Sequence, residues 1–97
     1  MITSTADRLS RHELIGLGIT ITQSSNPRHV GIKGVVVDET RNMLIIAGAD
    51  GRKKCIPKAE TTCGFTMFNG TLLEIKGRQL LGRPVDRVGR IVQRRFL

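Results

Sequence analysis

Tryptophan and tyrosine are absent from this chain of 97 residues, and only three phenylalanines, Phe65, Phe68 and Phe96, represent the aromatic class. That scarcity argues against base reading by a broad aromatic platform, which needs two or three exposed rings on one sheet face. Phe65 and Phe68 fall in an alternating apolar stretch, where burial is the default. Cysteine is nearly as scarce. Cys55 and Cys63 have no second pair, and His12 and His29 lie far upstream without ligand-like spacing, so zinc ligation is unsupported. Both thiols read as small buried side chains in a reducing compartment. No apolar run approaches the ~18 residues that span a bilayer, and "MITSTADRLSRHEL" lacks the basic flank, apolar centre and cleavage site of a secretory signal. A soluble, cytoplasmic protein with no membrane partner is expected.

Groups able to do chemistry are also few. There is no glycine-rich phosphate loop, no paired active-site carboxylates and no nucleophile elbow. His12 sits in a helix-capping turn, and His29 stands beside Arg28, where a cationic neighbour suits an anion contact better than a general base. Asp38 and Glu39 flank a turn, where acidic groups commonly cap or face solvent. The chain alone is predicted to be non-catalytic. Its length makes one domain, burying roughly 60 to 65% of the surface the unfolded chain exposes, and argues against a cleft between two domains.

What the chain has is positive charge, a net +8. Residues 1–51 balance Arg8, Arg11, Arg28, Lys33 and Arg41 against Asp7, Glu13, Asp38, Glu39 and Asp50. Beyond them, Arg52, Lys53, Lys54, Lys58, Lys76, Arg78, Arg83, Arg87, Arg90, Arg94 and Arg95 face only Glu60, Glu74 and Asp86, so the excess belongs to the second half. That asymmetry points to a polyanion, of which nucleic acid is the commonest for a small soluble chain. A solvated basic face serving solubility is the competing reading.

The pattern along the chain is mostly that of strands. "SRHELIGL" opens as a capping box, Ser10 with Glu13, predicting a short helix with Leu14, Ile15 and Leu17 as its apolar positions and Leu9 as a staple. From Ile19 the period becomes two, with Ile19 and Ile21 alternating with Thr20 and Thr22. "SSNPRHVG" breaks the strand. Gly34–Asp38 and Met43–Ala47 then form a hairpin turned by Glu39, Thr40, Arg41 and Asn42, and Asp50-Gly51 makes a tight turn before a strand from Arg52 to Ile56, stopped by Pro57. Cys63, Phe65 and Met67 alternate with their neighbours up to Asn69-Gly70, the clearest hairpin turn, before "TLLEI". Gly77 turns the chain toward "QLL". Six or seven short strands make a mainly β fold, an antiparallel sheet curled into a small barrel or sandwich, with Gly31, Gly34, Gly48, Gly64 and Gly77 at bulges and bends. Past Pro84, Val88, Ile91, Val92 and Phe96 share a helical face opposite Arg87, Arg90 and Arg94, which makes the tail either a docked C-terminal helix or a basic arm. The expected divisions are 1–18 (helical segment), 19–82 (barrel) and 83–97 (arm).

With stacking disfavoured, phosphate contact by Arg and Lys remains, recognising the shape and charge of folded RNA. "GRKKCIPK" brings Arg52, Lys53, Lys54 and Lys58 onto and just beyond one strand, and arginine's planar fork suits structured RNA better than lysine. The order of "RHELIGL", "SSNPRHVGIKGVVVDETRNMLII", "GRKKCIPK", "FTMFNGT" and "LLGRPVDR", covering about residues 9–87, resembles the archaeal ribonuclease P protein component 1 family. The resemblance implies an Sm-like antiparallel barrel with N-terminal helical structure. It also implies a role with a catalytic RNA, whose Mg2+ the protein does not itself bind, in removing the 5′ leader of precursor tRNA.

Further partners implied are the zinc-ribbon subunit and other proteins of the particle. Leu9, His12, Glu13, Leu14 and Leu17 would then form a protein interface. Arg28, Lys33, Arg41, Arg52, Lys53, Lys54, Lys58, Arg78, Arg83, Arg87 and Arg90 would face RNA. For the "DETRN" turn, a constrained hairpin connection and direct RNA contact by Arg41 stand level. Two rivals remain: another RNA-binding barrel of ribosomal or Sm type, and an enzyme in its own right.

Overall fold

The computed structural model describes Arg8, Leu9 and residues 13–82. The expected C-terminal helix or arm, with Arg83, Arg87 and Arg90, lies outside the described residues, as do Ser10 and His12.

Six strands form one antiparallel sheet: β1 (Gly18–Ser24), β2 (Lys33–Glu39), β3 (Met43–Ala47), β4 (Lys53–Pro57), β5 (Thr61–Thr66) and β6 (Leu72–Lys76), in the order β4-β3-β2-β1-β5-β6. Alternation in the sequence becomes alternation in burial. Ile19 and Ile21 of β1, Leu44 and Ile46 of β3, and Cys63 and Phe65 of β5 point inward, while the residues between Leu44 and Ile46 and between Ile19 and Ile21 are only half-buried. Pro57 pairs with Met43 at the end of the edge strand β4, the position where a missing donor is tolerated.

Two bulges bend the sheet. Ile21 pairs with Cys63 and Gln23 with Thr62, leaving Thr22 as the extra residue, and Val36 pairs with Ile46 and Asp38 with Ile45, leaving Val37. An extra residue on one strand increases local twist and bends it. The bending lets all six strands contribute to one core, in which Val36, Ile56 and Ile75 join the inward residues of β1, β3 and β5.

The curl does not close into a hydrogen-bonded barrel. Among the described residues β4 and β6 are both edges. The stretch expected as a seventh strand is a 3-10 turn, Gly77–Leu80, which seals the core with Leu80. It packs on a second 3-10 turn, Lys58–Glu60, so closely that a Cβ at Gly77 would overlap the Lys58 carbonyl. Just beyond, the Gly82 amide donates to the Arg41 carbonyl at 2.8 Å, tying the chain after β6 to the β2–β3 turn. Local pins join the ends of the sheet where a ladder was expected.

The N-terminal helix is also corrected. Residues 13–17 carry no helix: Ile15 and Gly16 form a turn, and the Glu13 amide donates back to the Arg8 carbonyl at 2.8 Å. Of the described residues ahead of the sheet only Arg8 and Leu9 are helical, and they precede Ser10, so the helix expected over residues 13–17 is absent. Leu9, Leu14 and Leu17 are 0%, 1% and 4% exposed and belong to the sheet's own core, so they cannot form the expected partner interface. Of that group, Glu13 is exposed, as is Ile15, which the sequence pattern had placed on a buried face.

Candidate nucleic-acid interface

The β3–β4 turn is built by Asp50. Its Oδ1 accepts from the Arg52 amide at 2.9 Å, the Gly48 amide donates to the Arg52 carbonyl at 3.0 Å, and Gly51 donates back to Gly48 at 3.0 Å. This fixes where Arg52 leaves the turn. Across from it, Val30, Gly31 and Ile32 follow the 3-10 turn Pro27–His29, which is capped by Asn26 through its Oδ1 to the Arg28 amide at 3.0 Å. The two connections border an open cleft of about 540 Å³ whose lining includes Lys33, Arg52 and Lys54. All three side chains are exposed.

Three cations around one cleft can hold several phosphate oxygens, and Arg52 adds the bidentate geometry that lysine lacks. The Asp50 carboxylate lies 3.9 Å from the Arg52 guanidinium, an exposed pair that holds Arg52 weakly and leaves it open to exchange for a phosphate.

The remaining basic residues divide. Lys53 lies on the opposite face of β4 from Lys54, since Lys54 shares its side with buried Ile56. Arg28 and Arg41 are exposed on separate turns, and Arg78 is exposed beside another cleft, of about 340 Å³, with Lys76, Glu60 and Gln23.

Lys58 is withdrawn from this surface altogether. Its side chain is 0% exposed, and Nζ donates to Glu39 Oε2 at 2.8 Å and to the carbonyls of Thr40 at 2.7 Å, Gly82 at 3.1 Å and Arg41 at 3.4 Å. The Glu39 carboxylate, only 6% exposed, is equally enclosed. No phosphate can reach that ammonium, which instead fastens the "DETRN" turn onto the sheet. Thr40 braces the same turn through its amide to Met43 O at 2.9 Å and its Oγ1 from the Met43 amide at 3.1 Å. The carbonyls of Thr40, Arg41 and Asn42 and the amide of Thr40 are thus engaged while the Arg41 side chain stays exposed.

Two features escaped the sequence pattern. Phe68, placed by alternation in the strand, is 95% exposed at the β5–β6 turn. The Val30–Ile32 segment borders the cleft, although it carries no charge that would mark it.

The cysteines also differ. Cys55 is exposed on β4, contrary to its expected burial, whereas Cys63 is buried and its thiol is pushed up to about 11 by desolvation, against smaller lowering effects of the Thr61 hydroxyl and Lys58. Thiolate is the reactive form. At pH 8 one thiol per folded chain should react rapidly with a disulfide reagent and the second only in denaturant; two fast equivalents would contradict the buried site.

Among the described residues no group of three or more His, Cys, Asp or Glu is arranged to hold a metal ion, and no helix is long and apolar enough to cross a membrane.

A small curled antiparallel sheet with a cation-rimmed cleft defines the class of β-sheet modules equipped for polyanions. The family model for ribonuclease P/MRP subunit p29 matches residues 7–90. Ribonuclease P protein component 1 of Methanocaldococcus jannaschii is 45% identical over 84 residues, covering 87% of each chain. The protein of the same name from Methanothermobacter thermautotrophicus is 45% identical over 84 residues, covering 87% of this chain and 90% of its own. That from Pyrococcus furiosus is 47% identical over 77 residues, 79% of this chain and 60% of its own. A solved structure, that of Mth11, described as a homologue of the human RNase P protein Rpp29, superimposes with a TM-score of 0.57 at 48% identity, covering 79% of this chain and 99% of that one. The chain belongs to the ribonuclease P/MRP p29 family.

Proposed function

We propose that this chain is a non-catalytic, RNA-binding protein subunit of ribonuclease P, an endoribonuclease that removes the 5′ leader from precursor tRNA. Membership of the family supports the particle, and the convergence of Lys33, Arg52 and Lys54 on one open cleft is the observation that carries the RNA-binding role. Cations held on a rigid sheet offset phosphate repulsion and let a folded RNA close up at lower Mg2+, while hydrolysis stays with the RNA and its metal ions.

The curled sheet is an Sm-like framework whose ends are pinned by turns. Exposed Arg28, Arg41, Lys53 and Arg78 add outlying contacts to other parts of the RNA, and Arg83, Arg87 and Arg90 of the basic C-terminal sequence would add theirs. A single domain in the archaeal cytoplasm, working with the zinc-ribbon subunit and other proteins of the particle, completes the reading. With Leu9, Leu14 and Leu17 committed to the core, the exposed residues left for that protein partner among the described ones of this segment are Glu13 and Ile15.

Reconstitution tests the proposal. Adding the chain and its companion proteins to the cognate ribonuclease P RNA should lower the Mg2+ needed for precursor cleavage, and the chain with substrate and Mg2+ but no RNA subunit should cleave nothing. Unchanged cleavage on addition, or turnover by the chain alone, would overturn it.

A further inference from the structure

The two edges of the sheet are not alike. β4 begins with Lys53 and Lys54 and ends on Pro57, which has no amide to offer, and lysine and proline are the residues that discourage a further strand from pairing. β6 begins with Leu72 and Leu73 and holds no proline. Among the described residues no strand pairs with its far side.

The register decides which backbone groups β6 presents there. Met67 donates to the Thr71 carbonyl at 2.8 Å, and Phe65 and Cys63 stand opposite Leu73 and Ile75, so the odd-numbered residues of β6 bond to β5. Bonded and non-bonded pairs alternate along an antiparallel ladder. The amides and carbonyls of Leu72 and Glu74, with the amide of Lys76, therefore point away from the sheet. All three side chains are exposed.

The hairpin that carries this edge is uncharged and apolar at its tip. Residues 61–73 hold no charged side chain, in a chain of net +8. Phe68 stands at the tip almost wholly in water, outside the core, four residues before exposed Leu72. The turn beneath it is braced: Gly70 donates to the Met67 carbonyl at 2.9 Å, and Asn69 Oδ1 accepts from the Thr71 amide at 3.1 Å and its hydroxyl at 2.7 Å. Gly70 closes it at φ 87°, a conformation that glycine adopts without strain. A ring on a preformed turn loses little freedom on docking.

Resting on the subunit reading above, we propose that an extended segment of a companion protein of the particle adds a strand to β6, with Phe68 as the apolar anchor of the same contact. An extended polypeptide supplies donors and acceptors alternately at the strand's own spacing, which is what Leu72, Glu74 and Lys76 require of an occupant. Phosphates only accept, and residues 61–73 offer them no cation. A second copy of this chain would bring another net +8, and like charge opposes association.

Amide hydrogen exchange, read residue by residue by NMR on the full-length chain, tests it. In the chain alone the amides of Leu72, Glu74 and Lys76 should exchange fast and those of Leu73 and Ile75 slowly. With the companion proteins added one at a time, one of them should slow the first group by about tenfold or more, and a duplex RNA should leave it unchanged. Phe68→Ala should weaken that companion's binding roughly tenfold or more and RNA binding by less than about twofold. Glu74→Pro removes an outward amide and no bond to β5, so it should weaken the companion likewise, whereas Glu74→Ala keeps the amide and should not. Should the proline variant misfold, Phe68→Ala and the wild-type exchange still decide.

No slowing by any companion, or slowing by the RNA or by concentrating the chain alone, would overturn the proposal. A reconstituted particle that cleaves precursor tRNA while the three amides go on exchanging would remove the docking edge and leave the subunit reading standing. A chain that neither joins the companion proteins nor supports cleavage would remove both.

Discussion

Lys58→Ala should destabilise the folded chain by about 3 to 5 kcal/mol, the loss expected when one partner of an enclosed ion pair is removed. The side chain lies at 0% exposure, and its ammonium satisfies the Glu39 carboxylate and the carbonyls of Thr40 and Gly82 at once. Alanine would leave a carboxylate and at least two carbonyl groups in a site that water reaches poorly. Domains of this size hold only about 5 to 15 kcal/mol in total, so the variant should melt tens of degrees lower or fail to fold at 37 °C. The double variant Lys58→Met with Glu39→Gln should recover part of the loss, because an enclosed pair replaced together leaves no unpaired charge. Urea unfolding followed by circular dichroism reads both. A loss under 1 kcal/mol for Lys58→Ala would place the pair among solvent-exposed ion pairs and contradict the enclosure.

Neutralising Lys33, Arg52 and Lys54 together should have a comparable effect on RNA affinity while leaving the fold intact, since all three side chains are exposed and none fills the core. With roughly six phosphate contacts, wild-type affinity should fall about a thousandfold between 50 and 200 mM salt. Removing three contacts lowers the slope of log K against log salt by nearly three, so the variant should lose only about fortyfold over the same range. At low salt it should already bind much more weakly. Lys53→Ala serves as a comparison, because Lys53 lies on the other face of β4, and its slope should change by less than one. Equal slopes for wild type and triple variant would remove the cleft from the interface.

The sheet was readable from the residues where two local signals agreed. Ile19 and Ile21 alternate with threonines, and Asn69-Gly70 supplies a glycine able to take φ 87°, so strand and turn needed no knowledge of the rest of the chain. The misreadings share a different cause. Apolarity at Leu9, Leu14 and Leu17 announces that these side chains leave water but not what covers them, and the sheet's own core claimed them before any partner could.

Lys58 shows the same limit for charge. A lysine after a strand reads as surface until Glu39, Thr40 and Gly82, between 18 and 24 residues away, converge on it. Among the cations, Arg52 and Lys54 were legible as a cluster. That Lys53 turns away follows from the phase of β4, and that Lys33 joins them follows from where the two connections meet around the cleft.

Cleavage of precursor tRNA by the reconstituted particle, followed against Mg2+ with wild-type chain and with the Lys33, Arg52, Lys54 neutral variant, tests the division of labour most directly. If the chain supplies only fixed cations, the variant should need more Mg2+ and reach the wild-type rate once it is saturating. A rate that stays depressed at saturating Mg2+, with the variant folded and bound, would mean that these side chains take part in the bond-breaking step and would contradict the account.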